Sequence, residues 1–226
     1  HTGKYWMKHP SQVGLTDHMG STGRHGGQAL SIGRKSMKPI YDFIDKAQRQ
    51  KKPFFVWYAP FLPHTPHNPP ERLLKKYAAI KNPAKAKYMA MIEWLDETCG
   101  DLMEQLNKKG VADNTLVLYL ADNGWNEYGK AHPCENDILK PSTAHWPGKI
   151  KPRQDERQLV SNIDIVPTIL FAAGIKPSAS LPGINLLDEK AVAKRNTIFL
   201  SNFAHDMVSA TEPEKSLWTR SCIHGK

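Results

Sequence analysis

Residues 115–124 read TLVLYLADNG, a short apolar run that ends in a carboxylate, an amide and a glycine. The run is rich in β-forming residues, so we expect a buried strand. Ligands bind at the carboxyl ends of strands in an open α/β sheet, which is where Asp122 and Asn123 lie. Their oxygens suit Ca²⁺ or Mg²⁺, and Gly124 allows a sharp turn. A plain Asp-Asn-Gly turn without chemistry is the alternative, because Asn-Gly is a common turn pair.

A second apolar run, FFVWYA at residues 54–59, precedes a loop with five prolines in eleven residues, PFLPHTPHNPP at 60–70. Proline excludes both helix and sheet pairing, so the loop is stiff and holds His64 and His67 in fixed directions. A stiff loop is a good mount for a catalytic group. The alternative is that both are ordinary loop histidines.

Two helices are expected between these strand candidates. The first covers about residues 72–80, and the second runs from Pro83 to about residue 109, where Gly110 ends it. A strand, two helices and a strand fit a right-handed crossover in a parallel sheet. His64 and the pair Asp122 and Asn123 are therefore expected at the same edge of one sheet.

The rest of the chain contains weaker signals. Residues 1–34 are expected to form a loop, in which glycines beside Arg24 and His25 suit a mobile segment that reaches an anionic group. Helices are predicted over residues 35–50 and 161–173, the second with Ser161 as its N-cap. Residues 197–200 are a third strand candidate, and His205 follows them as a candidate substrate contact.

Composition indicates an ordinary globular chain of 226 residues, whose 40% hydrophobic content can form a core. The net charge of +9 favours anionic partners. The basic residues are scattered, however, and form no basic face interleaved with aromatics, which argues against nucleic-acid binding. No apolar run approaches the roughly 18 residues needed to span a bilayer. Three cysteines without a CxxC pair argue against a disulfide framework or a zinc site.

Several short motifs follow one another along the chain. They are GKYW at 3–6, PHTP at 63–66, ADNG at 121–124, Lys130 five residues before Glu135, and WPG at 146–148. The same series continues with NIDIVPTIL at 162–170, AGI at 173–175 and LPG at 181–183. Each motif alone is weak, but together and in this order they resemble the sulfatases of the alkaline phosphatase-like superfamily.

The resemblance implies an α/β fold with a mixed, mostly parallel sheet flanked by helices. It also implies hydrolysis of sulfate esters with a formylglycine nucleophile and a bound Ca²⁺, or Mg²⁺. By position, the residues that look like the family's catalytic groups are His64, Lys130 and Lys4, and those that look like half of its metal site are Asp122 and Asn123. Weaker candidates, for substrate contacts, are His67, Arg24, His25 and His205.

The chain also departs from the family pattern. The formylglycine motif (Cys or Ser, Pro or Ala two residues on, Arg four residues on) is absent, as is the family's upstream Asp-Asp metal pair. Trp6 stands where many members carry a second histidine, and Asp137 and Leu139 stand where glycine and arginine are usual. We therefore expect a chain truncated at both ends that does not turn over by itself. It would be a single incomplete sulfatase domain over residues 1–226, with the core resemblance over 1–183 and the start of a C-terminal part over 184–226.

We expect the full-length parent to act on a sulfated small molecule or, favoured by the scattered positive charge, on a sulfated carbohydrate. Its formylglycine would lie upstream of residue 1 and would require a formylglycine-generating enzyme. The alternatives are a phosphodiesterase or phosphonate hydrolase of the same superfamily, and a non-catalytic protein that binds sulfated glycans. The resemblance favours a periplasmic or secreted location.

Overall fold

A computed structural model describes the chain apart from residues 6–9, 20–26, 126–138, 204–210, 213–214, 216–217 and 226. The helices that it describes are α1 Lys38–Arg49, α2 Glu71–Lys76, α3 Pro83–Lys108, α4 Ile165–Ala172 and α5 Glu189–Lys194. The strands are β1 Thr2–Gly3, β2 Tyr58–Ala59, β3 Val117–Leu120, β4 Ser142–His145, β5 Thr197–Phe203 and β6 Trp218–His224.

The chain divides into two compact units, His1–Val111 and Ala112–Lys226. In the described ranges, the first unit has one strand pair and the second has two. The first contains β1, β2 and the helices α1 to α3, and the second contains the remaining elements. The expectation of one incomplete domain over residues 1–226 stays a prediction.

The strands β1 and β2 form a parallel pair in which Gly3 lies opposite Ala59. The N–H of Thr2 donates to the Trp57 carbonyl at 2.9 Å, and the N–H of Lys4 donates to the Ala59 carbonyl at 2.6 Å. Gly3 has a φ of +91°, and a Cβ at this position would lie 1.8 Å from the Ala59 carbonyl oxygen. Because only glycine lacks that atom, the pairing of these two strands requires glycine at residue 3.

The helix α1 contributes three buried residues to the core of the first unit. Ile40, Ile44 and Ala47 recur at helical spacing and are all buried, which explains why α1 packs on one face. The predicted helix over residues 35–50 is thus confirmed from Lys38 onward. The largest fully buried side chains of this unit are Phe61, Ile32, Ile40, Ile44, Leu73 and Met91.

The bounds of α3 follow from its end residues. The side-chain oxygen of Asn82 accepts a hydrogen bond from the N–H of Lys85 at 3.1 Å, and Pro83 occupies the first turn, where its missing N–H costs nothing. Gly110, with a φ of +66°, follows the helix and confirms the predicted end. The helix α2 is shorter than the prediction over 72–80, since it ends at residue 76.

The strand β3 lies where the sequence predicts a strand but is not buried. Val117 and Leu118 are half-buried, whereas Tyr119 and Leu120 are 39% and 48% exposed. Its partner is β4, which runs antiparallel to it, and all residues of β4 are exposed. A pair of two strands covers neither of its own faces, which explains why an apolar strand here retains exposed side chains.

The described residues show strand pairs in place of the one sheet expected to contain the runs at 54–59 and 115–120. In them, β2 pairs with β1 and β3 pairs with β4. Of the first run, only the last two residues form a strand. An apolar run indicates β structure without specifying its partner, so the sequence pattern could not distinguish these pairings.

A buried carboxylate organises the second unit. Both oxygens of Asp164, which is fully buried, accept hydrogen bonds from the guanidinium of Arg195, at 2.5 and 2.7 Å. The backbone N–H groups of Ser161 and Ile184 donate to the same carboxylate at 2.8 and 2.9 Å. The charge is therefore fully compensated. These contacts join the start of α4 to the residues that precede β5, and Ser161 is the N-cap as predicted.

The strand expected at residues 197–200 is confirmed as the first part of β5, which pairs antiparallel with β6. The helix expected over 161–173 begins with a 3₁₀ turn at Asn162–Asp164 and continues as α4. Within the described parts of the chain, no helix is long and apolar enough to cross a lipid bilayer.

The glycine contact between β1 and β2 yields a stability prediction. Gly3→Ala is expected to lower the free energy of unfolding by more than about 3 kcal/mol, because the new Cβ overlaps the Ala59 carbonyl. Gly14→Ala is the matched control, since Gly14 has a similar φ of +83° and no heavy atom within 4 Å of its Cβ position. The control should lose only about 1 to 2 kcal/mol. Urea unfolding measures both, and equal losses would contradict the close approach at residue 3.

Candidate active site

Two predicted catalytic residues follow the two strands of the β1–β2 pair. Lys4 comes directly after β1, and the loop over residues 60–70, which carries His64, comes directly after β2. Because the strands are parallel, both segments leave the pair at its carboxyl edge. The structure therefore brings Lys4 and the loop of His64 to one edge of one strand pair.

His64 is half-buried, and its ring lies edge-on to Phe61 with the centroids 6.3 Å apart. Its Nδ1 lies 3.0 Å from the carbonyl oxygen of Thr65 and 3.1 Å from the hydroxyl oxygen of the same residue. When Nδ1–H donates to the carbonyl, the neutral ring carries its lone pair on Nε2. In this tautomer, Nε2 is the ring nitrogen that gains or loses a proton.

His67 lies farther along the loop, and its ring packs against Tyr88 of α3 with the centroids 5.7 Å apart. Burial lowers the pKa of His67 below its ordinary value. The positive charges of His64, Arg34 and Lys87 act in the same direction, and a backbone hydrogen bond opposes them in part. His67 is therefore neutral over a wider pH range than a free histidine.

Arg34 contacts the same loop and is not among the residues predicted from the sequence. Its guanidinium donates hydrogen bonds to the carbonyl oxygens of Phe61, His64 and Pro66 and to the side chain of Asn68. No periodicity marks this arginine, and its partners lie 27 to 34 positions away along the chain. The only local signal is the glycine that precedes it, which permits the turn.

Asp122 and Asn123 are exposed and lie just after β3, as predicted. The Oδ1 of Asp122 accepts a hydrogen bond from the Asn123 N–H at 2.8 Å. The side-chain N–H of Asn123 donates to the Gly124 carbonyl at 2.8 Å. The side-chain oxygen of Asn123 is therefore the atom of this residue that suits a cation. Carboxylate and amide oxygens fit Ca²⁺ or Mg²⁺ in kind.

Two residues supply too few ligands for a complete site, because Ca²⁺ takes about six to eight oxygen ligands. Among the residues that the structure describes, no group of three or more His, Cys, Asp or Glu side chains could hold a metal ion. Asp122 and Asn123 can therefore contribute only part of a metal site, and the predicted Ca²⁺ stays a prediction.

Several predicted site residues lie outside the described residues, so no geometry is assigned to them. They are Arg24, His25, Lys130 and His205. Of the others, Lys4, His64 and His67 belong to the first unit, and Asp122 and Asn123 belong to the second. The common sheet edge expected for His64 and Asp122 stays a prediction, because the two residues belong to different units.

The surroundings of His67 yield a titration prediction. Its pKa should lie below about 6.5, the value of a free histidine, and Lys87→Met should raise it by removing a nearby positive charge. Lys85→Met, which changes an exposed lysine two residues away on α3, is the control and should leave the pKa unchanged. NMR titration of the ring protons measures both.

The lowered pKa of His67 also determines the direction in which pH changes the stability of the folded chain. Because the unfolded chain binds the proton more readily, His67 contributes stability that is complete above the pKa of a free histidine. That contribution is lost as the pH falls through the lower pKa of the folded state. A measured pKa of His67 at or above the ordinary value would contradict the described surroundings.

Comparison with known proteins identifies relatives over most of the chain. Arylsulfatase A of Homo sapiens is 29% identical over 160 residues, which are 65% of this chain and 30% of that protein. N-acetylgalactosamine-6-sulfatase of Homo sapiens is 29% identical over 179 residues, 70% of this chain and 33% of that protein. The chain thus spans about a third of the length of the curated relatives that it matches.

Solved structures show the same fold. The crystal structure of Ps i-CgsB matches with a TM-score of 0.66 at 27% identity, over 76% of this chain and 42% of that chain. Its complex with k-i-k-neocarrahexaose matches with a TM-score of 0.66 at 26% identity, over 78% of this chain and 42% of that chain. These matches confirm the predicted α/β fold class of the alkaline phosphatase-like sulfatases.

A family model described as Sulfatase matches residues 1–175, which include the β1–β2 edge and the Asp122–Asn123 pair. The motifs that carry the resemblance from residue 3 to residue 175 all lie inside this match. With 175 of its 226 residues matched, the chain belongs to the sulfatase family.

Proposed function

We propose that this chain forms part of the active site of a sulfate ester hydrolase. The observation that carries the proposal is the position of Lys4 and the His64 loop at one edge of the β1–β2 pair, in a chain of the sulfatase family. Hydrolysis of a sulfate ester needs fixed positive charge at the sulfate oxygens and a proton for the departing alcohol. The ammonium group of Lys4 and the protonated imidazole of His64 at one edge would supply both.

The proposed roles follow from the chemistry of each side chain. Lys4 and Lys130 bind sulfate oxygens as point charges. In its protonated form, His64 donates its Nε2 proton to the ester oxygen as the alcohol leaves and becomes neutral, while its Nδ1–H continues to donate to the Thr65 carbonyl. This arrangement keeps the ring in one tautomer while the alcohol leaves.

Asp122 and Asn123 are proposed to supply two oxygen ligands to Ca²⁺, or to Mg²⁺, together with further ligands. When bound, the ion supplies positive charge that offsets the charge of the sulfate group. Residues 1–226 contain no formylglycine motif, so the roles assigned to this chain are binding and proton transfer. A formylglycine-generating enzyme is the partner that the complete reaction would require.

A sulfated carbohydrate is the favoured substrate class. The net charge of +9 attracts a polyanion more strongly than a small sulfate ester. One structural neighbour is known in complex with k-i-k-neocarrahexaose, and one relative is an N-acetylgalactosamine-6-sulfatase. A sulfated small molecule is the alternative, because another relative is an arylsulfatase A. The proposed substrate contacts are His67, Arg24, His25 and His205.

A second candidate function is binding of sulfated glycans without hydrolysis. The observation that favours it is the net charge of +9, which attracts a sulfated chain whether or not the ester is cleaved. Lys4 and the scattered basic residues would then hold a sulfated chain, and His64 would have no catalytic part. Sulfate release by a longer protein that contains this chain separates the two functions.

The hydrolase proposal predicts Ca²⁺-dependent sulfate release from a sulfated sugar by a longer protein that contains this chain and a formylglycine motif. His64→Ala should lower the rate by about 10²- to 10⁴-fold, because general acid–base catalysis is lost. Asp122→Ala should lower it at least about 100-fold and weaken Ca²⁺ binding, because a charged ligand is lost. Ion chromatography of released sulfate and calorimetry of Ca²⁺ binding measure these effects.

Asp96→Ala is the control, since Asp96 is an exposed carboxylate on α3 and has no part in the proposed site. It should leave both the rate and Ca²⁺ binding unchanged. Equal losses of rate and of Ca²⁺ binding in Asp96→Ala and Asp122→Ala would mean that the proposed location of the metal site is wrong. Tight binding of the sulfated sugar without release would contradict hydrolysis and support the binding function.

A further inference from the structure

Arg34 lies between the body of the first unit and the proline-rich loop that carries His64. We propose that Arg34 is a positioning residue for His64: its guanidinium holds the backbone on both sides of this histidine and so sets where the imidazole meets the substrate. This inference rests on the proposed function, since His64 takes part in catalysis only if the protein hydrolyses an ester.

The hydrogen bonds of Arg34 surround His64 in the chain. Its Nη2 donates to the carbonyl oxygens of Phe61 at 2.9 Å and of His64 itself at 2.8 Å. Its Nη1 donates to the carbonyl oxygen of Pro66 at 3.0 Å and to the side-chain oxygen of Asn68. One guanidinium therefore fixes four acceptors on residues 61–68, two of them beyond the histidine.

The composition of the loop explains why it needs an external donor. Its five prolines have no N–H, so the loop cannot satisfy its own carbonyl groups through a regular backbone pattern. The guanidinium of Arg34 presents five N–H donors in a rigid planar fork, which can bind several carbonyls at once. A lysine at this position would keep the charge but could not reproduce the fork.

The body of the first unit in turn fixes Arg34. Its guanidinium carbon lies 5.8 Å from the ring centroid of Trp94 on α3, within the range of a cation–π contact. Arg34 sits in a turn that begins at the fully buried Ile32. Gly33 has a φ of +75°, and a Cβ there would lie 2.5 Å from the Tyr58 hydroxyl oxygen. The arginine thus connects the loop to a rigid base.

This connection matters for the chemistry because one of the bound carbonyls belongs to His64. A displacement of the guanidinium would move the backbone of that residue and its ring. Misplacement of a reacting group by about 1 Å can cost about 100-fold in rate. Arg34 therefore acts on the reaction through His64, without touching the substrate.

Hydrogen exchange in the 226-residue chain tests the structural step. Arg34→Lys keeps the positive charge and loses the fork, so amides within residues 61–68 are expected to exchange at least about tenfold faster. Asn68→Ala removes one acceptor with Arg34 still present, and a smaller increase is expected. The Asn68→Ala variant therefore tests the proposal even if Arg34→Lys does not fold.

Arg72→Lys is the matched control, because Arg72 also makes a two-pronged contact, to Glu97 on α3. Exchange within residues 61–68 should equal that of the wild type in this variant. Unchanged loop exchange in both Arg34→Lys and Asn68→Ala would overturn the proposal.

Kinetics of the longer, active protein test the catalytic step. Arg34→Lys is expected to lower kcat about 10- to 100-fold while KM changes less than about twofold, because a displaced His64 slows proton transfer and the sulfate-binding cations remain. Faster loop exchange with an unaltered kcat would overturn the positioning role. If the wild-type protein releases no sulfate, the proposed function fails, and hydrogen exchange alone then decides whether Arg34 holds the loop.

Discussion

The close approach of two backbones at Gly3 is the constraint on which the candidate site in the first unit depends. Any side chain at this position would overlap the carbonyl of Ala59, so the parallel pairing of β1 with β2 needs glycine. The pairing places Lys4 and the loop of His64 at one edge. Arg34 then joins that loop to the body of the unit. The candidate site therefore depends on the absence of a Cβ at Gly3 and on the N–H donors that Arg34 provides to the proline-rich loop.

In the second unit, a buried charge connects segments that are distant along the chain. Asp164 has no exposed surface, and a carboxylate without water is tolerated only where donors surround it. Arg195 and two backbone N–H groups provide those donors from different segments of the unit. The segment over residues 161–195 is thereby tied together around one side chain. The Asp122–Asn123 pair lies in the same unit, just after the exposed strand β3.

Features encoded by neighbouring residues could be predicted from the sequence, and those that depend on distant residues could not. Helical spacing predicted α1, Pro83 and Gly110 predicted the two ends of α3, and Ser161 was predicted as an N-cap. The partner of each strand was not predictable, because an apolar run encodes burial and not pairing. For the site, motif order identified Lys4, His64 and Asp122 as candidates. Arg34 was missed because only folding brings it to residues 61–68.

We propose that the edge formed by Lys4 and His64 acts on a sulfate ester. The most direct measurement is kcat/KM of the longer, active protein on a sulfate monoester and on a phosphate diester of the same alcohol. Both substrates carry one negative charge, so the net charge of +9 favours neither of them. The monoester presents three terminal oxygens to the cationic groups, and the diester presents two. We predict a higher kcat/KM for the sulfate ester, and a higher value for the phosphate diester would contradict the claim.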